Sequence, residues 1–229
     1  MGWKEFWDGE HAIYVNARHR LLHDRRIASD IAALIPSRDA VVLDYACGEA
    51  GEAGIVAARC AKLILSDQAT SVRTKLAARH GDRPNVEILD PEGVRALPPA
   101  SVDLIVVNSL LQYLSRPELD DLLVMLRPLL KEGGRLVIGD VIPRGQSPVA
   151  DALSLLRFGW EGGFLIAAGI GLVRTFFSDY RKLRADLGLS FHDEHEMLAI
   201  LDHAGFAGQR RRENIGHNQG RMTFIAQRA

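Results

Sequence analysis

Residues 40–54 read AVVLDYACGEAGEAG, an apolar run closed by one acid and then by small residues and glycines. A continuous apolar run this short, bounded by turn formers, suits a strand buried on both faces. The same unit recurs outward along the chain. "AKLILSD" (61–67), "NVEILD" (85–90), "VDLIVVN" (102–108) and "GRLVIGDVI" (134–142) are separated by helical stretches at about 69–80 and from Pro117 to about Leu130. Strands alternating with helices predict a parallel sheet covered on both sides. Upstream, Leu21, Leu22, Ile27, Ile31, Leu34 and Ile35 fall at helical intervals, and Pro36 ends that run. Downstream, residues 144–190 are helical in composition and start no new strand, which predicts a helical lid insertion. "DEHEMLAILDHAGF" predicts a further helix, with Ser190 and Asp193 at capping-box spacing and Gly205 as its stop. "GQRRRENIG" and "RMTFIAQRA" flank a Gly-His-Asn-Gln-Gly turn and predict a terminal antiparallel hairpin.

In a doubly wound sheet, ligands bind beyond the carboxyl ends of the strands. Asp44 ends the first strand, where a carboxylate can accept from an ammonium or order a water. Asp67 ends the second, about twenty residues on, where an acid can take both hydroxyls of a ribose. Asp90 ends the third and can accept from an adenine amino group. Three acids at three successive strand tips make a row for an adenosine, and Ala46, Gly48, Ala50 and Gly51 let a ligand approach the backbone. A dinucleotide site would require G-x-G-x-x-G. The chain instead reads Gly48-Glu49-Ala50-Gly51-Glu52-Ala53, with two acids where phosphates would lie.

In these motifs the sequence resembles the class I S-adenosylmethionine-dependent methyltransferases. "VLDYACGEAG" is similar to their first motif, "LSDQ" to their second-strand acid, "LDPEGVRALPPASVDLIVVNSLLQYL" to their third and fourth strand region, and "LLKEGGRLVIGDVIP" to their fifth. The likeness covers 40–142 and 193–227. It implies a Rossmann-like, doubly wound α/β sheet of seven mostly parallel strands with an antiparallel last strand, within a single domain over 1–229. Residues 1–38 would form its N-terminal helical segment. The implied reaction is methyl transfer by in-line displacement from S-adenosylmethionine to a small molecule, which could be apolar, leaving S-adenosylhomocysteine. By the same likeness, Asp44 and the backbone of Ala46, Cys47 and Gly48 hold the methionine end and Asp67 the ribose. Gln68 edges the adenine pocket, Asp90 reaches the adenine amino group beside Pro91, and Asn108 and Ser109 touch the methionine moiety. Ala46 and Ala50 stand where the family has glycine. Since alanine does not enter positive φ freely, the loop is expected to be right-handed helical or extended there.

For the acceptor, Tyr113 and Asp140 lie just beyond the fourth strand and near the end of the fifth, and are expected to shape its pocket. His217, Asn218 and Arg221 in or beside the hairpin turn could face the acceptor, or simply form a polar turn. By family analogy the N-terminal segment closes over the donor, which adds Tyr14, Arg18 and His23. His217, Tyr14 and Tyr113 are the candidate catalytic side chains. Two other functions stay open: a noncatalytic S-adenosylmethionine or S-adenosylhomocysteine binder, and a nicotinamide-dependent dehydrogenase.

Composition narrows the partners. Twenty-eight Lys and Arg nearly balance 29 Asp and Glu, a net charge of −1, so no overall field favours nucleic acid or acidic lipid. "RRR" (210–212) reads as a late strand rather than a phosphate site. "HDEHE" (192–196), with His192 and His195 expected on one helix face, lacks the H-E-x-x-H pattern, and no metal is expected. Cys47 and Cys60 read as small core residues. The first residues have no apolar core segment of a signal or anchor, so a cytoplasmic protein, monomer or homodimer, is expected. "FGWEGGFLIAAGIGLV" (158–173) is too short and too broken to span a bilayer. It fits a buried lid helix, an acceptor-pocket wall, or a dimer or membrane-surface contact.

Overall fold

A computed structural model describes residues 14–176 and 190–229. Its seven-stranded sheet comprises β1 (Val41–Tyr45), β2 (Lys62–Ser66), β3 (Val86–Leu89), β4 (Val102–Asn108), β5 (Leu130–Val141), β6 (Phe206–Arg211) and β7 (Met222–Arg228), in the order β3-β2-β1-β4-β5-β7-β6. Strands β1 to β5 are parallel, and β7 runs antiparallel between β5 and β6. This is the Rossmann-like α/β sheet that the resemblance implied, and its parallel part is the one expected from the alternation. Strand order reverses between β1 and β4, so their carboxyl ends open a crevice.

Among the described residues the α-helices are α1 (Ala17–Ala32), α2 (Ala53–Ala57), α3 (Thr70–His80), α4 (Pro91–Arg95), α5 (Arg116–Leu126), α6 (Pro148–Gly162), α7 (Leu165–Phe176) and α8 (Glu194–His203). Because strand side chains alternate, the sheet divides its core in two. Leu43, Ile105, Leu136 and Ile138 face Leu119, Leu123 and Leu126 of α5 and Met197 and Leu201 of α8. Val42, Leu63, Leu65, Val106 and Val137 face Ile31 of α1, Val56 of α2 and Leu76 of α3. Each such buried aliphatic side chain contributes about 1.5–3 kcal/mol.

Several boundaries differ from the sequence pattern for local reasons. Helix α5 starts on a Ser115–Glu118 capping box and stops at Leu126, because Pro128 turns the next residues into a 3-10 turn, Arg127–Leu129. Strand β5 then begins at Leu130, not Gly134. Val102 pairs with Leu130 and Leu104 with Arg135, and the extra residues between form a bulge around Gly133 (φ 72°). The capping box of α8 is Asp193 with Glu196, whose backbone N–H lies 2.7 Å from Asp193 Oδ1. Ser190 instead donates its hydroxyl to the Leu114 carbonyl, 2.7 Å away. His192 therefore precedes α8, buried in a bridge to Pro143, and shares no helix face with His195.

The described part of the insertion forms two helices, α6 and α7, reversed at Gly163 (φ 71°). Gly159 of α6 lets the pair close up, since a Cβ there would press on Ala168 and Leu165. The remainder of the expected lid, 177–189, lies outside the described residues, as do 1–13. Among the described residues no helix is long and apolar enough to cross a membrane, and no group of three or more His, Cys, Asp or Glu could hold a metal ion.

Candidate functional site

The carboxyl ends of β1 to β5 open into a cavity of about 1390 Å³. Strand register sets its floor: Tyr45 pairs with Ser66 on one side and Val107 on the other, and Asn108 pairs with Gly139. Asp44, Asp67 and Asp90 all line it, with Ala46, Cys47, Gly48, Gln68, Pro91, Asn108 and Ser109 between them. Cys60 is a core residue, but Cys47 belongs to the cavity wall. Burial pushes the Cys47 thiol well above its usual range, with Asp44 and Asp67 adding to the shift, so it stays protonated and unreactive.

The loop after β1 departs from expectation. Ala46 (φ 56°) and Ala50 (φ 37°) both adopt positive φ, not the right-handed or extended backbone that alanine prefers. The tip of β2 imposes this. Cys47 N–H donates to the Ser66 carbonyl at 3.0 Å, and the next N–H, of Gly48, donates to Asp67 Oδ2 at 3.0 Å. Satisfying two successive donors from the neighbouring strand requires the chain to reverse at Ala46, at a cost of about 1–2 kcal/mol for a side chain with a Cβ. Asp67 also takes Ala69 N–H on Oδ1 at 2.9 Å, so its carboxylate fastens the β1 loop to the start of α3. Gly48 keeps its side open, whereas Gly51 does not: the Asp24 carboxylate of α1 fills the space a Cβ would take. Only the first of these two glycines leaves room for a ligand.

Asp44 is buried, and burial, then the charge of Asp67, raises its carboxyl pKa to about 7. It is poised to become a firm anion only when a cation arrives. Asp90 caps α4 through Gly93 N–H at 2.8 Å and reaches solvent at the cavity edge. Glu49, one of the acids placed where phosphates would lie, is ringed by cations: Arg20 contacts it, Lys75 lies at 3.0 Å, and Arg79 donates to its carbonyl at 3.1 Å.

The opposite wall comes from the end of β5, the turn after β4, Arg221 just before β7, and α1. Asp140 and Ser109 also hold positive φ (60° and 58°), so four of the five non-glycine residues of this kind among those described line the cavity. Strain concentrated at one crevice is typical of binding and catalytic sites. Ser109 donates to Asp140 Oδ2 at 2.8 Å. Arg221, itself largely buried, bridges Asp140 (3.5 Å) to Asp151 of α6 (3.2 Å). Burial raises the Asp140 pKa, against Arg221 and the Ser109 hydrogen bond.

Tyr14, His23 and Tyr113 line the cavity as well, but Arg18, His217 and Asn218 do not. Arg18 donates to the Gly162 carbonyl and fastens α1 to the insertion. Asn218 donates to Asp151 at 2.8 Å. His217 lies flat on Phe158 of α6, with centroids 4.5 Å apart, in a cluster with His19, His23 and Phe164. Two of the three acceptor candidates drawn from the turn therefore hold the insertion down instead of facing the cavity. Burial lowers the His217 pKa to about 4, helped by His19 and Arg221, and the His23 pKa to about 3, helped by His217 and His19. Tyr14 hydrogen-bonds Asp24 at 3.4 Å, and burial, followed by that anion, raises its phenol well above the usual value, so it acts as a donor and not as a base.

Sequence reasoning missed Gln112, Asp24 and Asp151. Gln112 lines the cavity, only 9% exposed, with no partner for its Oε1. The one local sign was its place in the turn directly after β4.

Residues 42–134 match a family model described as a methyltransferase domain. Among curated proteins no match to the sequence is found. Solved structures share the fold at low identity. A Haloferax volcanii methyltransferase in complex with the activator Trm112 covers 100% of this chain and 98% of its own, at 12% identity and TM-score 0.62. Magnesium protoporphyrin IX methyltransferase from Synechocystis PCC 6803, with bound S-adenosylmethionine, covers 99% and 89% at 16% identity and TM-score 0.56. YcgJ of Bacillus subtilis covers 82% and 70% at 16% identity and TM-score 0.56. Residues 42–134 are thus similar in sequence to a methyltransferase domain, and the fold of the described residues is similar to those of the solved methyltransferases.

Proposed function

We propose that the chain transfers a methyl group from S-adenosylmethionine to a small molecule, in one domain closed over by α1, which the insertion holds through Arg18. The observation that carries this is the row of Asp44, Asp67 and Asp90 on one wall of a single cavity, beside a β1 loop whose Gly48 leaves the backbone open. The residues fit the donor. Asp44, its ionisation poised near neutral pH, answers the ammonium of the methionine end, with the Ala46 to Gly48 backbone, Asn108 and Ser109 around it. Asp67, at the tip of β2, faces the ribose, and Gln68, Asp90 and Pro91 border the adenine.

S-adenosylmethionine supplies an electrophilic methyl on a sulfonium. The chain's contribution is alignment and exclusion of water, which an in-line displacement chiefly needs. Tyr113, Gln112, Asp140 and Arg221 form the wall against which an acceptor would lie, and His23 and Tyr14 close it from α1. With Arg221 shared between two carboxylates, that wall disfavours an anionic acceptor. A phenol or alcohol acceptor must also lose a proton, and Asp140, raised in pKa and on the wall, is the base in reach, whereas His217 is not.

The absence of His217 from the wall is also what keeps the noncatalytic binder as a second reading. Formation of S-adenosylhomocysteine, followed across phenols, amines and lipophilic alcohols, separates the two. Turnover with any acceptor, lost in Asp140→Asn for a hydroxyl acceptor, supports transfer. Donor binding with no turnover across the panel favours the binder. A preference for NAD would support the dehydrogenase instead.

A further inference from the structure

The insertion presents an apolar face outward. Val149, Leu153 and Trp160 of α6 recur at helical spacing on one side, as do Ile166, Ile170 and Val173 of α7. All six are more than half exposed, Trp160 and Ile166 at 74% and 81%. The opposite sides of the same helices are spoken for. On α6, Asp151 binds Arg221, Phe158 stacks on His217, and Gly162 abuts Leu22. On α7, Ala168 meets Gly159, and Gly171 abuts Val15. With both inner sides on the body of the domain, the two outer stripes lie side by side as one surface. No charged side chain interrupts α7 from Leu165 to Val173. On α6, Arg157 and Glu161 pair with each other at 2.9 Å along the flank.

We propose that this face is covered by the same face of a second copy of the chain, the two helical pairs packing across a twofold axis as a four-helix layer. Its exposed apolar side chains amount to roughly 700 Å², close to the ~800 Å² per partner of a standard stable interface. One self-complementary patch per chain closes the assembly at two. Gly169, where an added Cβ would meet nothing within 4 Å, sits between Ile166 and Ile170 and lets the partner's helix come close. A lipid surface fits less well. Interfacial helices combine an apolar face with flanking cations, and the one cation described along α6, Arg157, is neutralised by Glu161. Pairing would also press Asp151 onto Arg221, which lines the cavity.

The test is the mass of the full chain in solution by light scattering after gel filtration, for wild type and for Ile166→Glu combined with Trp160→Glu. Both positions are exposed, so folding is checked directly by the melting temperature and by S-adenosylhomocysteine binding, which should not change. The expected result is a wild-type dimer at micromolar concentration and a monomeric double variant, the dissociation constant rising at least about a hundredfold. A wild-type monomer, or a dimer that persists in the variant, overturns the proposal. Flotation of the wild type with phosphatidylcholine–phosphatidylglycerol vesicles, lost in the variant, would assign the face to lipid instead.

Discussion

The two walls of the cavity are built on different principles. The wall at β1 to β3 is set by backbone: Gly48 N–H and Ala69 N–H converge on Asp67, and Cys47 N–H reaches the Ser66 carbonyl. The wall at the end of β5 and just before β7 is set by side chains far apart in sequence, Asp140 and Arg221, with Asp151 of α6 holding Arg221 from behind. The first should tolerate substitutions that leave the strand tips intact, and the second should not survive loss of a single partner.

The largest expected effect is on the side-chain wall. Arg221→Met leaves Asp140 and Asp151 facing each other without a cation, a loss of about 3–5 kcal/mol. Urea denaturation measures it, and Asp140→Asn in the same chain should recover part. If Arg221→Met unfolds at the wild-type midpoint, that wall does not depend on its ion pairs.

Next comes the histidine cluster that anchors the insertion. His217 is held neutral to about pH 4, below the 6.5 of an unshifted histidine, so the folded chain binds fewer protons than the unfolded chain between these values. Its contribution to stability is present above pH 6.5 and is lost as pH falls toward 4. His217→Phe, which keeps a ring on Phe158, should gain on wild type by about 2 kcal/mol between pH 7 and 5. Equal pH slopes for the two chains would remove the histidine from the account.

A smaller effect tests the backbone wall through Asp44. With a carboxyl pKa of about 7, it gains charge as pH rises from 6 to 8. Affinity for S-adenosylhomocysteine should rise about tenfold over that range and then level off. Asp44→Asn should bind more weakly at pH 8 and without this slope. Asp44 alone acts on stability in the opposite direction to His217, since its raised pKa favours the folded state at low pH and that contribution fades as pH rises through 7.

The smallest change expected is Ala46→Gly, which relieves a left-handed alanine and should stabilise by about 1 kcal/mol, seen as a higher melting temperature. A lower one would mean that the loop does not carry strain.

The same contrast explains what could be read in advance. Asp44, Asp67 and Asp90 could be placed because each ends a run whose period and length locate a strand tip without reference to the rest of the chain. The positive φ at Ala46 could not, because it is imposed by hydrogen bonds to β2, and residue preference alone argued against it. His217 and Asn218 looked like cavity residues from their turn. Their neighbours Phe158 and Asp151 lie some sixty residues away in an insertion with no motif of its own. Gln112 and Asp24 likewise carry no local pattern that marks them.

The most direct test of the central claim is calorimetric titration of the full chain with S-adenosylhomocysteine and with NAD, repeated on Asp67→Ala. Binding of S-adenosylhomocysteine alone, weakened at least about thirtyfold by loss of a carboxylate that would both fasten the β1 loop and face the ribose, is the predicted result. A folded wild-type protein that ignores S-adenosylhomocysteine, or that takes NAD in its place, would contradict it.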